Sequence, residues 1–332
     1  MERIRRLIGV IDRWQQRGRI AGPAYGVVKK FGDDEANLYV VALGWYGFTA
    51  IFPLLLLVVT VFGYIGVESL GTGIVDTLHK FPVVGSSFNP GSSDQLHGST
   101  LGVVIGLIGL LYGAQGVTQT AQRGMAAVWN IPQTERTSFL PALGRSILGL
   151  FTISFAFVLN AFASTYATGG AHGYAVRVPI IVAEVVVNVA LYHAAFAILT
   201  PKQIRRRCLL PGAIAGGLAF TLLITVGTGL LTHQLQDASN TYGTFGSVIG
   251  IVTFLLLLAK LSMYAAELNP VLEQGMYPRA LPLCEPTEAD RRMLSALAHQ
   301  QRESEDERIG VGFGKHAAAD AARDAAADDV QR

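Results

Sequence analysis

The sequence predicts an all-α protein, a polytopic membrane helical bundle with about six transmembrane helices. Hydrophobic residues make up 51% of the 332 positions and charged residues only 15%. The mean hydropathy is +0.40, which is too apolar for a soluble domain that must present a polar surface. Long apolar runs also recur along the chain, with Lys and Arg residues concentrated between alternate runs.

Each apolar run approaches the roughly 20 residues that a helix needs to cross about 30 Å of hydrocarbon. The runs divide the chain into an amphipathic segment at 1–38, a transmembrane domain at 39–270 and a tail at 271–332. The predicted spans are 39–65, 99–121, 145–167, 179–200, 209–232 and 246–270.

Charge distribution predicts the orientation of these spans. Residues 1–38, the turn after the second run and the turn at 201–208 together carry fifteen Lys and Arg residues. The opposite side carries only Lys80 and Arg177. Because positive charge collects on the cytoplasmic side, both termini are expected in the cytoplasm. The predicted location is a bacterial cytoplasmic membrane.

The N-terminal residues 2–16 have an amphipathic helical pattern. Apolar residues from Ile4 to Trp14 recur at helical spacing, and arginines occupy the other face. This pattern predicts an interfacial helix on the bilayer, with anionic lipids as partners. Nucleic-acid binding is the rival interpretation, but no aromatic platform or recognition fold accompanies the arginines. No nucleic-acid partner is therefore expected.

Three features shape the expectation for the C-terminal part. Asn269 is expected to end the last span, because Pro270 disfavours the helical conformation at the residue before it. Thr287 could cap a short helix that runs to Ala298. After residue 310 the chain is rich in Ala, Asp and Arg without core-forming residues, which predicts a largely disordered end.

The sequence carries no pattern of an enzyme, a metal site or a cofactor site. The seven histidines are scattered and the two cysteines are far apart, so no ligand cluster for a metal is indicated. A phosphate-binding Walker loop is absent from the sequence, as is a nucleophile–base–acid set. We expect neither enzymatic activity nor a cofactor.

Polar residues within the predicted spans are the candidate pathway for a substrate. An ionisable group at membrane depth costs about 2.5–3.5 kcal/mol on insertion scales, so its presence there indicates a function or a partner. Two interpretations stay open: a polar cavity inside the bundle, or snorkelling and interhelical hydrogen bonds. The candidates are Asn160, Glu184, Asn188, Lys260 and, near the cytoplasmic mouth, Glu267.

Small residues and one proline indicate how the helices pack. Gly102 with Gly106, and Gly212 with Gly216, have the spacing that lets two helices approach closely. Pro53 removes a backbone donor in the first span and should bend it. A static kink and a gate are both compatible with this position.

Four stretches resemble the YihY/BrkB family of bacterial inner-membrane proteins, which also includes YhjD. They are FTAIFPLLLL at 48–57, VWNIP at 128–132, YGTFG at 242–246 and AAELN at 265–269. Their order relative to six spans makes the resemblance specific. The motif positions are Pro53, Trp129, Asn130, Tyr242, Gly243, Phe245, Gly246, Glu267 and Asn269.

The resemblance implies an envelope-integrity protein of the cytoplasmic membrane that is proposed to be a transporter. It brings no agreed substrate and no catalytic residues, and the residues do not support the family's older name, ribonuclease BN. The leading hypothesis is a transporter of an envelope component, such as a lipid. A scaffold that recruits partners through its basic cytoplasmic face is the alternative, and a homo-oligomer is left open.

Overall fold

A computed structural model describes residues 2–65, 100–132, 144, 174–201, 204–224, 244–304 and 306–314. Within these ranges the chain forms helices joined by turns and loops, without strands. The helices are α1 (Glu2–Arg17), α2 (Ala21–Asp33), α3 (Ala36–Ile65), α4 (Thr100–Val128), α5 (Tyr174–Leu199), α6 (210–224, after a 3₁₀ turn at Arg206–Leu209), α7 (Thr244–Glu273) and α8 (Glu288–Gln300).

Three stretches of the described chain are long and apolar enough to cross a membrane: Ile181–Leu199, Arg206–Ile224 and Val248–Glu273. A shorter apolar helix covers Ala36–Ile51. These helices confirm the predicted all-α membrane fold. The count of six spans stays a prediction, because the third predicted span, 145–167, lies outside the described residues.

Glycines let the long helices approach one another closely. A Cβ atom on Gly212 of α6 would lie 2.2 Å from the Ala265 carbonyl oxygen of α7, and one on Gly216 would lie 2.6 Å from the Tyr192 ring of α5. Neither position can hold a larger residue without movement of the backbone or of a packed ring. The predicted packing role of the 212/216 pair is thereby confirmed.

Several helix ends meet at one end of the bundle, which we call the base. The base comprises residues 21–36, 126–131, 196–201, 204–213 and 263–300. Its apolar core contains Val128, Trp129, Phe196, Leu209 and Met263. The basic segments that were predicted to share one side of the membrane, where the structure describes them, therefore lie at the same end.

The C-terminal end of α7 differs from the prediction. The helix does not end at Asn269 but continues through Pro270 to Glu273. Proline lacks the N–H that would bond the carbonyl of Ala266, yet one missing hydrogen bond did not end the helix. Burial of Glu267, Asn269 and Val271 at the base, each with essentially no exposed surface, holds this last turn in place.

Residues 276–300 pack against the N-terminal helices instead of extending away from the bundle. The backbone N–H of Leu281 donates to Asp12 of α1 at 2.8 Å, and Gln15 donates to the Arg279 carbonyl at 2.5 Å. The predicted short helix is confirmed as α8, with Thr287 as its N-cap and Asp290 completing a capping box. The helix α2 was not predicted as a separate element.

The outer faces of the long helices are apolar. Large hydrophobic side chains are exposed on α4, α5 and α6, as expected for surfaces that face lipid. They include Ile105, Ile108 and Tyr112 on α4, Val182 and Val186 on α5, and Leu218 and Leu222 on α6.

Candidate functional site

A buried ion cluster lies at the base, where the last turn of α2 meets α7. The Lys30 ammonium donates to the Asp34 carboxylate and, at 2.7 Å, to the Val128 carbonyl oxygen. It also lies 3.1 Å from Glu267 Oε2. The three charged side chains have no exposed surface. Because a buried charge must be paired, this one ammonium fastens α2, α4 and α7 to one another.

The sequence places Lys30 on the buried face of α2. Gly26, Val27 and Phe31 share that face, at the spacing of successive helical turns. Asp34 follows Lys30 by four residues, so its carboxylate returns to the same side. The neighbouring Lys29 points elsewhere and pairs with Asp290 at 2.8 Å.

The end of α4 supplies further contacts to the cluster. Asn130 has a positive φ of 51°, a conformation that asparagine adopts more readily than most residues and that helps to end a helix. Its amide nitrogen donates to Asp34 at 3.1 Å and to Gln300 of α8 at 2.9 Å. The preceding Trp129 is buried in the core of the base. The motif at 128–132 thus joins α4 to α2 and α8.

The two carboxyl groups of the cluster have unequal supplies of hydrogen-bond donors. Burial raises the pKa of Asp34 above its usual 3.8, although the charge and hydrogen bond of Lys30 act in the opposite direction. Neither oxygen of Glu267 accepts a well-oriented hydrogen bond. The Asp34 and Glu267 carboxyls are themselves within hydrogen-bonding reach of each other. Two acids therefore compete for one ammonium.

Asn269, one of the predicted motif positions, joins α7 to α6. Its side-chain oxygen accepts a hydrogen bond from the backbone N–H of Gly212 at 2.7 Å. Asn269 is fully buried, like Glu267. Glu267, predicted near the cytoplasmic mouth, and Asn269, predicted to end the last span, therefore both lie at the base, where they hold helices together.

Polar residues higher in the bundle follow one face of α5. Asn188 donates to Thr221 of α6 at 2.9 Å, and the Tyr192 hydroxyl lies 2.9 Å from the Ser262 hydroxyl of α7. Glu184 lies one turn from Asn188 and is partly buried. It forms no hydrogen bond or ion pair with any residue that the structure describes.

Lys260 lies apart from these residues, on the exposed face of α7. Leu257, Thr253 and Ile249 occupy the same face, about one, two and three turns away. Its placement agrees with the snorkelling interpretation better than with a cavity inside the bundle. Glu184 and Lys260 do not form an ion pair.

Other predicted residues are placed only in part. Asn160, Tyr242 and Gly243 lie outside the described residues. Phe245 and Gly246 belong to the first turn of α7. Pro53 lies within α3 and packs against Gly109 of α4, where a Cβ atom would lie 2.7 Å from the proline ring.

Lys30 and Asp34 are the residues that sequence reasoning missed. Lys30 was counted only among the basic residues of the N-terminal segment. Its position on the same helical stripe as Val27 and Phe31 could have indicated a buried lysine, and Asp34, four residues further along, lies on the same side of the helix. Among the described residues, no group of three His, Cys, Asp or Glu side chains is placed to hold a metal ion.

A family model described as "Virulence factor BrkB" matches residues 27–289. The chain belongs to the BrkB family. The match begins within α2 and ends in the first turn of α8, so it includes the whole buried ion cluster of this BrkB protein. No curated protein and no solved structure matches the chain.

The family resemblance seen in the four stretches is therefore confirmed. Membership in the BrkB family, together with the long apolar helices, makes the chain a membrane protein. Two of the four stretches, at 128–132 and 265–269, meet at the base, where they surround Lys30. The base is thus the part of this BrkB protein in which motif residues distant in sequence come together.

Proposed function

We propose that this BrkB protein transports a component of the bacterial envelope, such as a lipid, across the cytoplasmic membrane and thereby supports envelope integrity. Glu184 is the observation that carries the proposal. It lies in the span Ile181–Leu199, next to the polar contacts that α5 makes with α6 and α7. A carboxyl group at that depth is costly unless it has a function or a partner.

The neighbours of Glu184 explain why it is singled out. Asn188 and Tyr192 are satisfied by Thr221 and Ser262, so hydrogen bonding between helices accounts for them. Glu184 continues the same face without such a partner among the described residues. Its carboxyl group is therefore available to a polar headgroup that moves along α5.

The orientation of the transporter is part of the proposal. We place the base, and with it both termini, in the cytoplasm, because the base carries the basic segments. The helix α1 supports this placement. Asp12 and Gln15 are buried against residues 279–281, whereas Val10 and Trp14 are 56% and 72% exposed.

Anionic lipid headgroups at the inner surface are the proposed partner of α1. The exposed face carries Arg13 and Arg17 beside Trp14, a combination suited to a charged membrane interface. Lipids brominated near the headgroup should quench the fluorescence of Trp14. Comparison with Trp14→Phe assigns the signal, and unquenched Trp14 would contradict the placement.

Lipid and ion flux in proteoliposomes tests the transport proposal. The natural chain should produce flux, and Glu184→Gln should abolish or strongly reduce it, because the variant keeps the shape of the side chain but removes its charge. Lys260→Met should have a smaller effect, since Lys260 lies on an exposed face. The double variant Glu184→Gln/Lys260→Met measures whether the two charges act together.

A matched control separates transport from folding. Glu285→Gln makes the same chemical change at an exposed position in the loop before α8, and its flux should equal that of the natural chain. Folding of each variant is checked by its unfolding midpoint. Unchanged flux in well-folded Glu184→Gln protein would refute the proposed pathway.

A scaffold is the second candidate, and exposed arginines at the base favour it. Arg205, Arg206 and Arg207 are all exposed in the turn before α6, where they could hold an acidic partner. If the protein is a scaffold, replacing the three arginines with glutamine should abolish the envelope phenotype. Under the same hypothesis Glu184→Gln should leave the phenotype unchanged.

A further inference from the structure

The charges of the buried cluster do not balance if every group is ionised. Lys30 contributes one positive charge, and Asp34 with Glu267 would contribute two negative charges. No further charged side chain that the structure describes forms an ion pair with these three residues. Asn130 from the end of α4 and Gln300 from α8 are neutral, and α4 adds only the Val128 carbonyl.

The other charged residues at the end of α2 are paired elsewhere or exposed. Asp33 pairs with Arg279 at 2.6 Å, and Lys29 pairs with Asp290 at 2.8 Å. Glu35 is exposed. With all groups ionised, the fully buried cluster would keep one uncompensated negative charge, which a site without solvent strongly disfavours.

Hydrogen-bond donors in the cluster are also too few. Asp34 takes one from Lys30 and one from Asn130, so both of its oxygens are satisfied. Glu267 has the Lys30 nitrogen at 3.1 Å, but neither of its oxygens accepts a well-oriented hydrogen bond. Two carboxyl groups that lie within hydrogen-bonding reach while both are ionised would repel each other. One proton between them removes both problems.

We propose that Asp34 and Glu267 share one proton at neutral pH and form, with Lys30, a buried proton-binding site that closes the base of the bundle. The proton donates from one carboxyl oxygen to the other, and the cluster becomes neutral. Loss of the proton leaves a net negative charge between α2 and α7. Repulsion between the carboxylates then loosens the contact that Lys30 maintains between these helices.

This site goes beyond transport, because it requires only the proton and the residues of the base. The proposal also assigns proton binding to Glu267, which is one of the family-motif positions. The proton site and the Glu184 pathway can therefore fail independently: flux through the bundle tests one, and the protonation state of Glu267 tests the other.

Infrared spectroscopy of the full chain in lipid nanodiscs tests the protonation state. At neutral pH the carbonyl stretch of a protonated carboxylic acid should be present. Labelling with ¹³C at the side-chain carboxyl of Glu alone or Asp alone should shift this band and show which residue type holds the proton. Glu267→Gln and Asp34→Asn should each remove it, because either change eliminates one half of the pair.

Two controls isolate the signal. Asp290→Asn should leave the band unchanged, since Asp290 is ionised and paired with Lys29 and Arg279. Glu184→Gln removes any contribution from the span. If labelled natural protein shows no protonated carboxyl band at neutral pH, or if the band survives in Glu267→Gln, the proposal is overturned. Labelling the natural chain keeps the test valid even if a variant misfolds.

Hydrogen exchange tests the loosening of the base. After correction for the intrinsic pH dependence of amide exchange, residues 24–36 and 263–273 should exchange faster as the pH rises through the titration of the site. In Glu267→Gln, which cannot lose this proton, exchange should not depend on pH in that range. Equal pH dependence in the two proteins would refute the proposed coupling.

Discussion

Two neighbouring lysines of α2 form ion pairs with two carboxylates whose pKa values shift in opposite directions. Lys30 pairs with Asp34 in the fully buried cluster, and Lys29 pairs with Asp290, which joins α8 to α2. Burial raises the pKa of Asp34. The pKa of Asp290, by contrast, lies well below its usual range. The presence of a lysine therefore does not decide which way a carboxyl group shifts.

The balance between burial and hydrogen-bond donors explains the difference. Burial alone would raise the pKa of Asp290, but hydrogen bonds from Lys29, Arg279, Ala280 N–H and Thr287 outweigh it. The Lys29 bond is 2.8 Å long, and that from Arg279 Nε is 2.5 Å. Asp34 has only two side-chain donors and a second acid beside it. A carboxylate with many donors is stable in its charged form, whereas a fully buried one with fewer donors favours a proton.

The largest effect is expected from removing the cation of the buried cluster. Lys30→Met should leave Asp34 and Glu267 facing each other without a positive charge. Breaking a buried ion pair typically costs about 3–5 kcal/mol, so we expect a large fall in the unfolding midpoint of the purified protein. Lys29→Met is the matched control. A fall as large in the control would contradict the distinction between the two sites.

A smaller loss is expected at the second network. Arg279→Met removes the guanidinium that bonds Asp290 and Asp33. Asp290 keeps Lys29 and the donors of its capping box, so the loss should be about 2 kcal/mol, near that of hydrogen bonds to charged groups. Thermal unfolding of the two variants side by side measures the difference. A greater loss in Arg279→Met than in Lys30→Met would reverse the comparison.

The two carboxylates should also give stability opposite pH dependences. Because the folded-state pKa of Asp290 is lowered, its contribution is present above about pH 3.8 and is lost as the pH falls. Because that of Asp34 is raised, its contribution is present below about pH 3.8 and is lost as the pH rises through the folded-state pKa.

Unfolding midpoints as a function of pH check these signs. Asp290→Asn should weaken the loss of stability on acidification, and Asp34→Asn should weaken the loss on the alkaline side. A change of about 1 kcal/mol corresponds to roughly 2–4 °C in a domain of 150–250 residues. If both variants changed the pH dependence of the unfolding midpoint in the same direction, the two carboxylates would not differ in the way proposed.

The smallest effect is expected at Asn130. Asn130→Gly keeps the positive φ of this residue but removes the hydrogen bonds to Asp34 and Gln300. We expect a loss of about 1 kcal/mol, the usual value for a hydrogen bond of this kind. Thermal unfolding again provides the measurement, with Asn130→Ala expected to be less stable than Asn130→Gly because alanine is strained at positive φ.

Much of the fold could be predicted because hydrophobic runs and glycine spacing are local signals. The helices α5 and α7 begin and end close to the predicted boundaries, and the Thr287 cap follows from a local motif. The predicted end of the last helix at Asn269 was wrong. Burial of the residues around Pro270 overcame the tendency of proline to end a helix.

The site was less predictable because its residues are distant in sequence. Glu267 and Asn269 were recognised from a family motif, and Asn188 from its position in a span. Lys30 was interpreted as one more positive charge on the cytoplasmic side, since its partners Val128 and Glu267 come from other helices. The helical stripe that Lys30 shares with Val27 and Phe31 could have indicated its burial, but only tertiary contacts identify its partners on other helices.

A rescue experiment tests most directly whether the buried cluster acts as one unit. The unfolding midpoint of Lys30→Met is compared with that of Lys30→Met/Glu267→Gln, using the natural chain and Glu267→Gln as references. We predict that the double variant is more stable than Lys30→Met, because removing one carboxylate relieves the repulsion that loss of the ammonium creates. If the double variant is instead less stable by the sum of the two single losses, Lys30 and Glu267 act independently.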